Sequence, residues 1–405
     1  MDQQQPILLD PAGQDLVAEA ARLRDLGPAV RVVLPAGISA WYITRHDQLV
    51  ELLTDDRVSK DPRQHWPEWI DGEHRGTWAE MWVGVDNMLN AYGGDHRALR
   101  KFLAPAFTTR RAAAMKPRVE AIVQGHLDTL ANSGNRTLDL LALFSYPVPR
   151  DVICDLYGLT QDERLYLAPL LDQVFSTTLT KKETEQTLAA VYAALGDLVA
   201  RKRHTPGDDM TSILIAGLPD GSTLNETQLL ATLRLVLTAG YETTVHLISN
   251  AVHALLTHPD QLALIRSGQR SWNDVIEETL RWAPSVANLP LRYAVEDITL
   301  DDGTLIRKGD AILSGYLAAG HDPAHHGDTA GEFDITRATT DHLAFGYGVH
   351  RCIGAPLARL EAATALPALF ERFPDLTLAN ASPPQSESFI SNGPTELLVD
   401  LAPSA

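Results

Sequence analysis

The chain has 405 residues, 45% of them hydrophobic and 21% charged, with a formal net charge of −18 and two cysteines. That balance excludes a disordered or collagen-like chain, and the acidic surplus argues against a general nucleic-acid binder, since phosphate binding is driven by Lys and Arg. The N-terminal MDQQQPILLD has no basic or apolar signal region and no apolar run is long enough to cross a bilayer, so one large fold in the cytoplasm is expected, with no membrane or nucleic-acid partner.

In chain order, residues 15–26 carry apolar residues at helical spacing and stop at Gly27-Pro28. RVVLP and AWYIT flank Ala36-Gly37 and predict a hairpin, and His46 to Leu53 predicts a short helix. Gln64 to Leu89 holds four of the seven tryptophans, Trp66, Trp69, Trp78 and Trp82, beside Met81 and Met88. So much aromatic and thioether surface must be buried on something, either the protein's own core or an apolar ligand.

Gly93-Gly94-Asp95 opens a helix on which His96 and Arg100 share a face. Arg97, Arg100, Lys101, Arg110, Arg111 and Arg118 form a basic cluster in an otherwise acidic chain, either a solvated helix face or a docking patch. Helical segments continue to about residue 203, with Cys154 expected in their core. The polar, Thr-rich stretch from Leu171 to Thr187 is expected to connect two helices.

The longest element follows. Thr223 and Glu226 read as a T-x-x-E capping box, and helical periodicity then runs to His258, where Pro259 ends it. About 35 residues make a helix of roughly 52 Å, long enough to be the axis of the fold. It is weakened at TAGYETT, residues 238–244, where Gly240 costs about 1 kcal/mol relative to Ala and Thr243 and Thr244 can hydrogen-bond back to earlier carbonyls. Close helix packing explains Gly240 but not the acid and alcohol beside it, Glu242 and Thr243.

A helix from about Ser271 to Trp282 places Glu278 and Arg281 on one face as an ion pair, worth a few tenths of a kcal/mol if it lies on the surface. Residues 285–320 are strand-rich, with turns at Asp302-Gly303 and Lys308-Gly309, and FISN and TELLVDL near the C-terminus are expected to return to the sheet. His321, His325 and His326 lack the paired spacing of a zinc site and read as structural or surface residues, as do His246 and His253. In HLAFGYGVHRCIGAPLARLE, Gly346, Gly348 and Gly354 surround Cys352 at the start of a helix. Backbone donors and the helix dipole there favour a thiolate, either a nucleophile or a metal ligand.

FGYGVHRCIG (345–354), AGYETT (239–244) and the Glu278-x-x-Arg281 pair together resemble the haem-binding segment, oxygen-activating motif and Glu-x-x-Arg pair of the cytochrome P-450 family. Their order and separation also match, and the resemblance spans the chain. It implies a mainly α fold with a small β region and a long central helix over haem, as one domain over 1–405. The β-rich lobe falls at about 28–60, 285–320 and 376–402, and the α-rich lobe at about 90–282 and 352–373.

By this resemblance Cys352 is the axial ligand of haem b (iron protoporphyrin IX), and an anionic sulfur favours O–O cleavage. His96, Arg100, Arg292 and His350 would hold the propionates, with Ala239, Gly240, Phe345, Gly346 and Gly354 beside the haem. Glu242 and Thr243 would relay protons, and Glu278, Arg281 and Arg337 form a buried structural triad. The loop before the cysteine carries His326 and Thr329 where the family commonly has an aromatic residue and a proline, and it is one residue longer.

Expected pocket residues are Met81, Val83, Met88, Leu89, Val236, Ala239, Val286, Asn288, Leu289, Phe389 and Ile390. The implied activity is insertion of one oxygen atom from O2 into an unactivated C–H bond of a bulky apolar substrate, a steroid, macrolide or other polyketide. No flavin or dinucleotide segment is evident, so a monomer reduced by ferredoxin, ferredoxin reductase and, indirectly, NAD(P)H is expected, with Arg351 and Arg359 joining the basic dock. The rival readings are an H2O2-driven peroxygenase, which should lack the acid–alcohol pair, and a haem-thiolate gas sensor or carrier.

Overall fold

A computed structural model describes residues 6–174 and 181–401. Helices form one side and a small six-stranded sheet the other. The sheet runs in the order β1 (Ile7–Leu8), β2 (Ala29–Leu34), β3 (Ile38–Ile43), β9 (Ala311–Gly315), β6 (Asn288–Ala294), β4 (Val58–Ser59), numbered with β5 (Thr137–Asp139), β7 (Ile298–Thr299), β8 (Leu305–Ile306), β10 (Thr377–Leu378) and β11 (Leu398–Asp400). β2 and β3 form the predicted hairpin, in the register Val32 to Ala40. Ala36 and Gly37 both take positive φ, the geometry that lets a tight turn follow the strand twist. β6 lies antiparallel to β9 with a shift between Leu289 and Arg292, and both strands are largely buried.

The central helix Glu226–Thr257 runs unbroken, and its middle, residues 231–252, is buried apart from a short window. Its cap lies two residues beyond the expected box: Asn225 Oδ1 accepts from Gln228 N, and Gln228 Oε1 accepts from Asn225 N. N-x-x-Q and T-x-x-E satisfy the same two orphan donors, so the pattern alone does not choose between them. The helix packs on Pro147–Tyr157, on Trp272–Trp282 and on the cysteine-loop helix Ala355–Arg372. Cys154 is buried in this helical core, as expected.

Other expectations shift. A strand, β5, interrupts the α-rich run and pairs with β11, which also pairs with β10, so the C-terminal strand forms a separate three-stranded sheet instead of joining the main one. FISN makes only an isolated bridge, Val286 to Ser391. Tyr316–Gly320, expected within the strand region, is a short helix. Of the Thr-rich stretch, residues 175–180 lie outside the described residues, flanked by helices Gln161–Val174 and Lys181–His204.

The tryptophans largely pack into the protein's own core. Trp66 and Trp69 are buried and stack with centroids 6.0 Å apart, Trp66 stacks on Tyr293 at 5.3 Å, and Arg75 caps Trp69 at 3.6 Å. Trp78 donates to Pro35 O at 2.9 Å and meets the Phe389 edge at 5.0 Å.

Candidate active site

The cysteine loop is shaped by two glycines at positive φ. Gly346 N donates to Leu343 O at 2.7 Å, and at Gly348 a Cβ would come within 2.6 Å of Leu53 O, so a side chain fits neither its conformation nor its space. Cys352 N donates to Phe345 O at 2.8 Å and closes the loop. Gly354 then caps the helix Ala355–Arg372 with no side-chain acceptor, leaving the Gly354 and Ala355 N–H groups to the Cys352 sulfur.

Cys352 is accessible, yet from a position deep in the protein. Burial therefore pushes its thiol up, and the two backbone donors, Arg100 and Arg359 pull it down. The net direction is upward, against the expectation from the helix start alone, because loss of bulk water outweighs those donors. A metal cation at the sulfur reverses that balance, since a coordinating thiol is deprotonated outright.

Behind the loop lie two carboxylate networks. Glu278 and Arg281 are both 0% exposed, so the pair is not a surface one. Arg281 donates to Glu278 Oε2 at 2.8 Å and Oε1 at 2.7 Å, and also to the carbonyls of Gly320, Ala330 and Glu332. Arg337 Nε reaches Glu278 Oε1 at 3.1 Å despite the longer loop. The second network was not foreseen. Glu277 takes Arg359 at 2.6 and 2.7 Å and His342 at 3.0 Å, and Arg359 lies 4.6 Å over the Phe345 ring. Burial works to raise the Glu277 carboxyl, but these donors overcome it and hold it at about 2.

On one edge of the loop positive groups converge. The His96 and His350 rings are 4.0 Å apart, Arg100 donates to Arg351 O at 2.8 Å, and Arg292 is buried beside Tyr316. Lys60, which sequence reasoning missed, is also buried and donates only to Pro290 O at 3.1 Å. Among the described residues no carboxylate pairs with these five, and His96 Nε2 and Arg292 Nε have no partner. Burial, then Arg100 and Arg292, lowers His96 to about 4, and burial, then Arg292, lowers His350 further. Buried cations without counter-ions fit a ligand with more than one negative charge, as a haem with two propionates would be.

In the central helix, residues 238–240, 242 and 243 form an accessible window between buried turns, and Ala239 is exposed in mid-helix. Thr243 Oγ1 donates to Ala239 O at 2.8 Å. Gly240 faces away from any cavity, since a Cβ there would lie 2.7 Å from Ile153 Cδ1, so its smallness serves helix packing. Glu242 Oε1 lies 3.4 Å from Ser391 Oγ and 3.5 Å from Nε2 of the buried His246. His246 was read as merely structural, and only its i, i+4 spacing from Glu242 signals otherwise.

Met81, Met88, Leu89, Val286 and Leu289 keep partial exposure, as pocket residues must. Val83, Phe389 and Ile390 are packed into the sheet-side core, and Val236 into the helical core, so these four back a wall instead of lining it. Asn288 is buried and donates to Phe389 O at 2.6 Å. On the cysteine-loop face two cavities, of about 320 and 520 Å³, share Arg351 and Arg359. Lys101, Arg111 and Arg118 are neutralised by Asp220, Asp208 and Asp155, which thins the expected basic cluster.

The family model described as Cytochrome P450 matches residues 272–399. The 2-hydroxy-5-methyl-1-naphthoate 7-hydroxylase of Streptomyces carzinostaticus is 40% identical over 98% of this chain and 97% of its own length. The 6-deoxyerythronolide B hydroxylase of Saccharopolyspora erythraea is 36% identical over 88% of each. The structure of CYP154A1 from Streptomyces coelicolor A3(2) is 49% identical, covers 98% of this chain and 100% of its own, and superposes with a TM-score of 0.92. No described helix is long and apolar enough to cross a membrane. The chain belongs to the cytochrome P450 family of monooxygenases.

Proposed function

We propose that the chain, as one domain, holds haem b through Cys352 and inserts one oxygen atom from O2 into an unactivated C–H bond of a bulky apolar molecule, a steroid, macrolide or other polyketide. The observation that carries the haem assignment is a set of three basic side chains, Lys60, Arg100 and Arg292, and two histidines, His96 and His350, with no carboxylate partner among the described residues, beside an accessible cysteine. His96, Arg100, Arg292 and His350 take the propionates, and the donors from Gly354 and Ala355 temper the charge on the Cys352 sulfur. When bound, the haem supplies the oxygen chemistry, helped by its thiolate ligand.

The protein's own part is to position substrate and move protons. Glu242 is reachable from the helix window and sits between Ser391 and His246, so it can take a proton from solvent-linked groups and pass it toward Thr243. Because Thr243 Oγ1 donates to Ala239 O, the hydroxyl oxygen is left free to accept a proton donor from the window side. The acid–alcohol pair favours O2 over peroxide as the oxidant.

Met81, Met88, Leu89, Val286 and Leu289 supply apolar walls for the substrate. The substrate class draws on relatives whose names give a fused aromatic acid in one case and 6-deoxyerythronolide B in the other. Electrons come from NAD(P)H through a ferredoxin reductase and ferredoxin docked on the cysteine-loop face, where Arg351 borders both cavities beside exposed Tyr347 and Val349, and Arg359, paired with Glu277, lies alongside.

The test is an optical titration of the holoprotein with a steroid and polyketide library, followed by NADPH-driven turnover with ferredoxin and its reductase. Bulky apolar members should shift the spin state, and at least one should be hydroxylated. Spin-state shifts without product from any member would favour a sensor or carrier instead.

A further inference from the structure

His46, at the start of the helix His46–Thr54, meets His325 and His326 from the loop between β9 and the cysteine segment. One ring nitrogen from each lies within 4.8 Å of the others. The His46 and His325 rings stack at 3.5 Å, and His326 stands edge-on to both, at 5.7 and 4.7 Å. His46 and His326 are buried, yet His46 Nε2 and both nitrogens of His326 have no hydrogen-bond partner. A buried ring with neither nitrogen satisfied costs a few kcal/mol unless something else binds it.

The surroundings are those of a metal site. Asp47 Oδ1 accepts from His46 Nδ1 at 3.1 Å and from His325 Nδ1 at 3.0 Å, the carboxylate arrangement that fixes the tautomer of a ligating histidine and frees its Nε2. Asp341 lies 3.8 Å from His325 Nε2, close enough to become a fourth ligand.

We propose that His46, His325 and His326 form a binding site for a divalent transition-metal ion of the zinc class, with Asp47 orienting two of the rings. Two nitrogens on a tetrahedral zinc stand about 3.4 Å apart, so the rings need to close by about 1 Å. The ion would tie the helix His46–Thr54 to the loop that carries Arg337 and leads into the cysteine segment. Its third ligand comes from a distant part of the chain, which is why the local spacing of His321, His325 and His326 did not reveal it.

To test this, holoprotein is stripped with a chelator and dialysed against zinc chloride across the micromolar range, and bound zinc is counted per haem. One zinc per haem is expected, with an unfolding temperature that rises with free zinc as mass action requires. His326→Phe keeps a buried ring, and His325→Asn leaves the core untouched. Each should lower zinc affinity about tenfold or more while retaining haem, whereas His253→Gln, remote from the cluster, should not. Equal uptake by wild type and both cluster variants, or none by wild type, overturns the proposal. Anomalous scattering at the zinc edge from soaked wild-type crystals decides without any variant: a peak among the three rings is expected, and its absence refutes the site.

Discussion

Replacing Glu278 by Gln keeps the shape of the side chain and removes its charge. In the folded protein Glu278 accepts from Arg281 Nε and Nη2, from Arg337 Nε and from the Asp334 N–H, with Glu278 and Arg281 both 0% exposed. The substitution leaves two guanidiniums with neutral acceptors in place of a carboxylate, and breaking a buried pair in this way costs about 3–5 kcal/mol. For a chain of this length the unfolding entropy converts that into a drop of about 4–6 °C in Tm. Circular dichroism and haem absorbance should fall together on heating, because the triad holds the loop that leads to Cys352. Arg203→Ala provides the contrast. Its partner Glu226 and Arg203 itself are both about half exposed, and losing such a pair should move Tm by less than about 1 °C. A Glu278→Gln protein no less stable than Arg203→Ala would refute the reasoning.

Thr243→Ala should retain haem and substrate binding but divert NADPH consumption into released hydrogen peroxide, measured as product formed per NADPH; unchanged coupling would sink the proton role. Glu277 has a depressed carboxyl, so its contribution is present above its unfolded pKa of about 4.5 and lost as pH falls toward 2, an effect of about 3 kcal/mol. The Tm gap between wild type and Glu277→Gln should therefore be wide at pH 6 and narrow steadily on acidification below about pH 4.5; a gap independent of pH would contradict this. Gly348→Ala must place a Cβ against Leu53 O at positive φ, and haem content after expression should fall. Charge reversal at Arg351 should slow reduction by ferredoxin and flatten its salt dependence, and an unaltered salt profile would remove this face as the dock.

The motifs that name the family are legible because each is local: a loop with glycines at 346 and 348, a turn with Gly240, Glu242 and Thr243, and a Glu-x-x-Arg pair. What encloses them is not. Helical periodicity leaves open whether Glu278 and Arg281 lie on the surface, because the carbonyls that cover them come from residues 320, 330 and 332, and periodicity cannot see a loop fold over a helix; only the family resemblance suggested a buried triad. Glu277, next to the recognised Glu278, points about 100° around the helix and finds Arg359 and His342, two partners remote in sequence. The tryptophan-rich segment divides between the two roles open to it: Trp66, Trp69 and Val83 are packed into the sheet-side core, while Met81, Met88 and Leu89 keep partial exposure. FISN has strand composition but lies where its backbone serves other side chains, with the Phe389 carbonyl accepting from Asn288 and that of Asn392 from Asn250.

That terminal loop also meets the turn bearing the acid and the alcohol. Ser391 reaches Glu242, Ser285 donates to the Thr243 carbonyl, Asn392 donates to Pro284 O, and Gly393 lies so close to His246 that a Cβ would overlap its ring. On the proposed roles, substrate acceptance and proton handling share this contact. A directed-evolution library at residues 388–393, chosen to widen substrate range, will return variants whose efficiency of NADPH use has changed as well. Selection on product yield alone will be unable to tell the two apart.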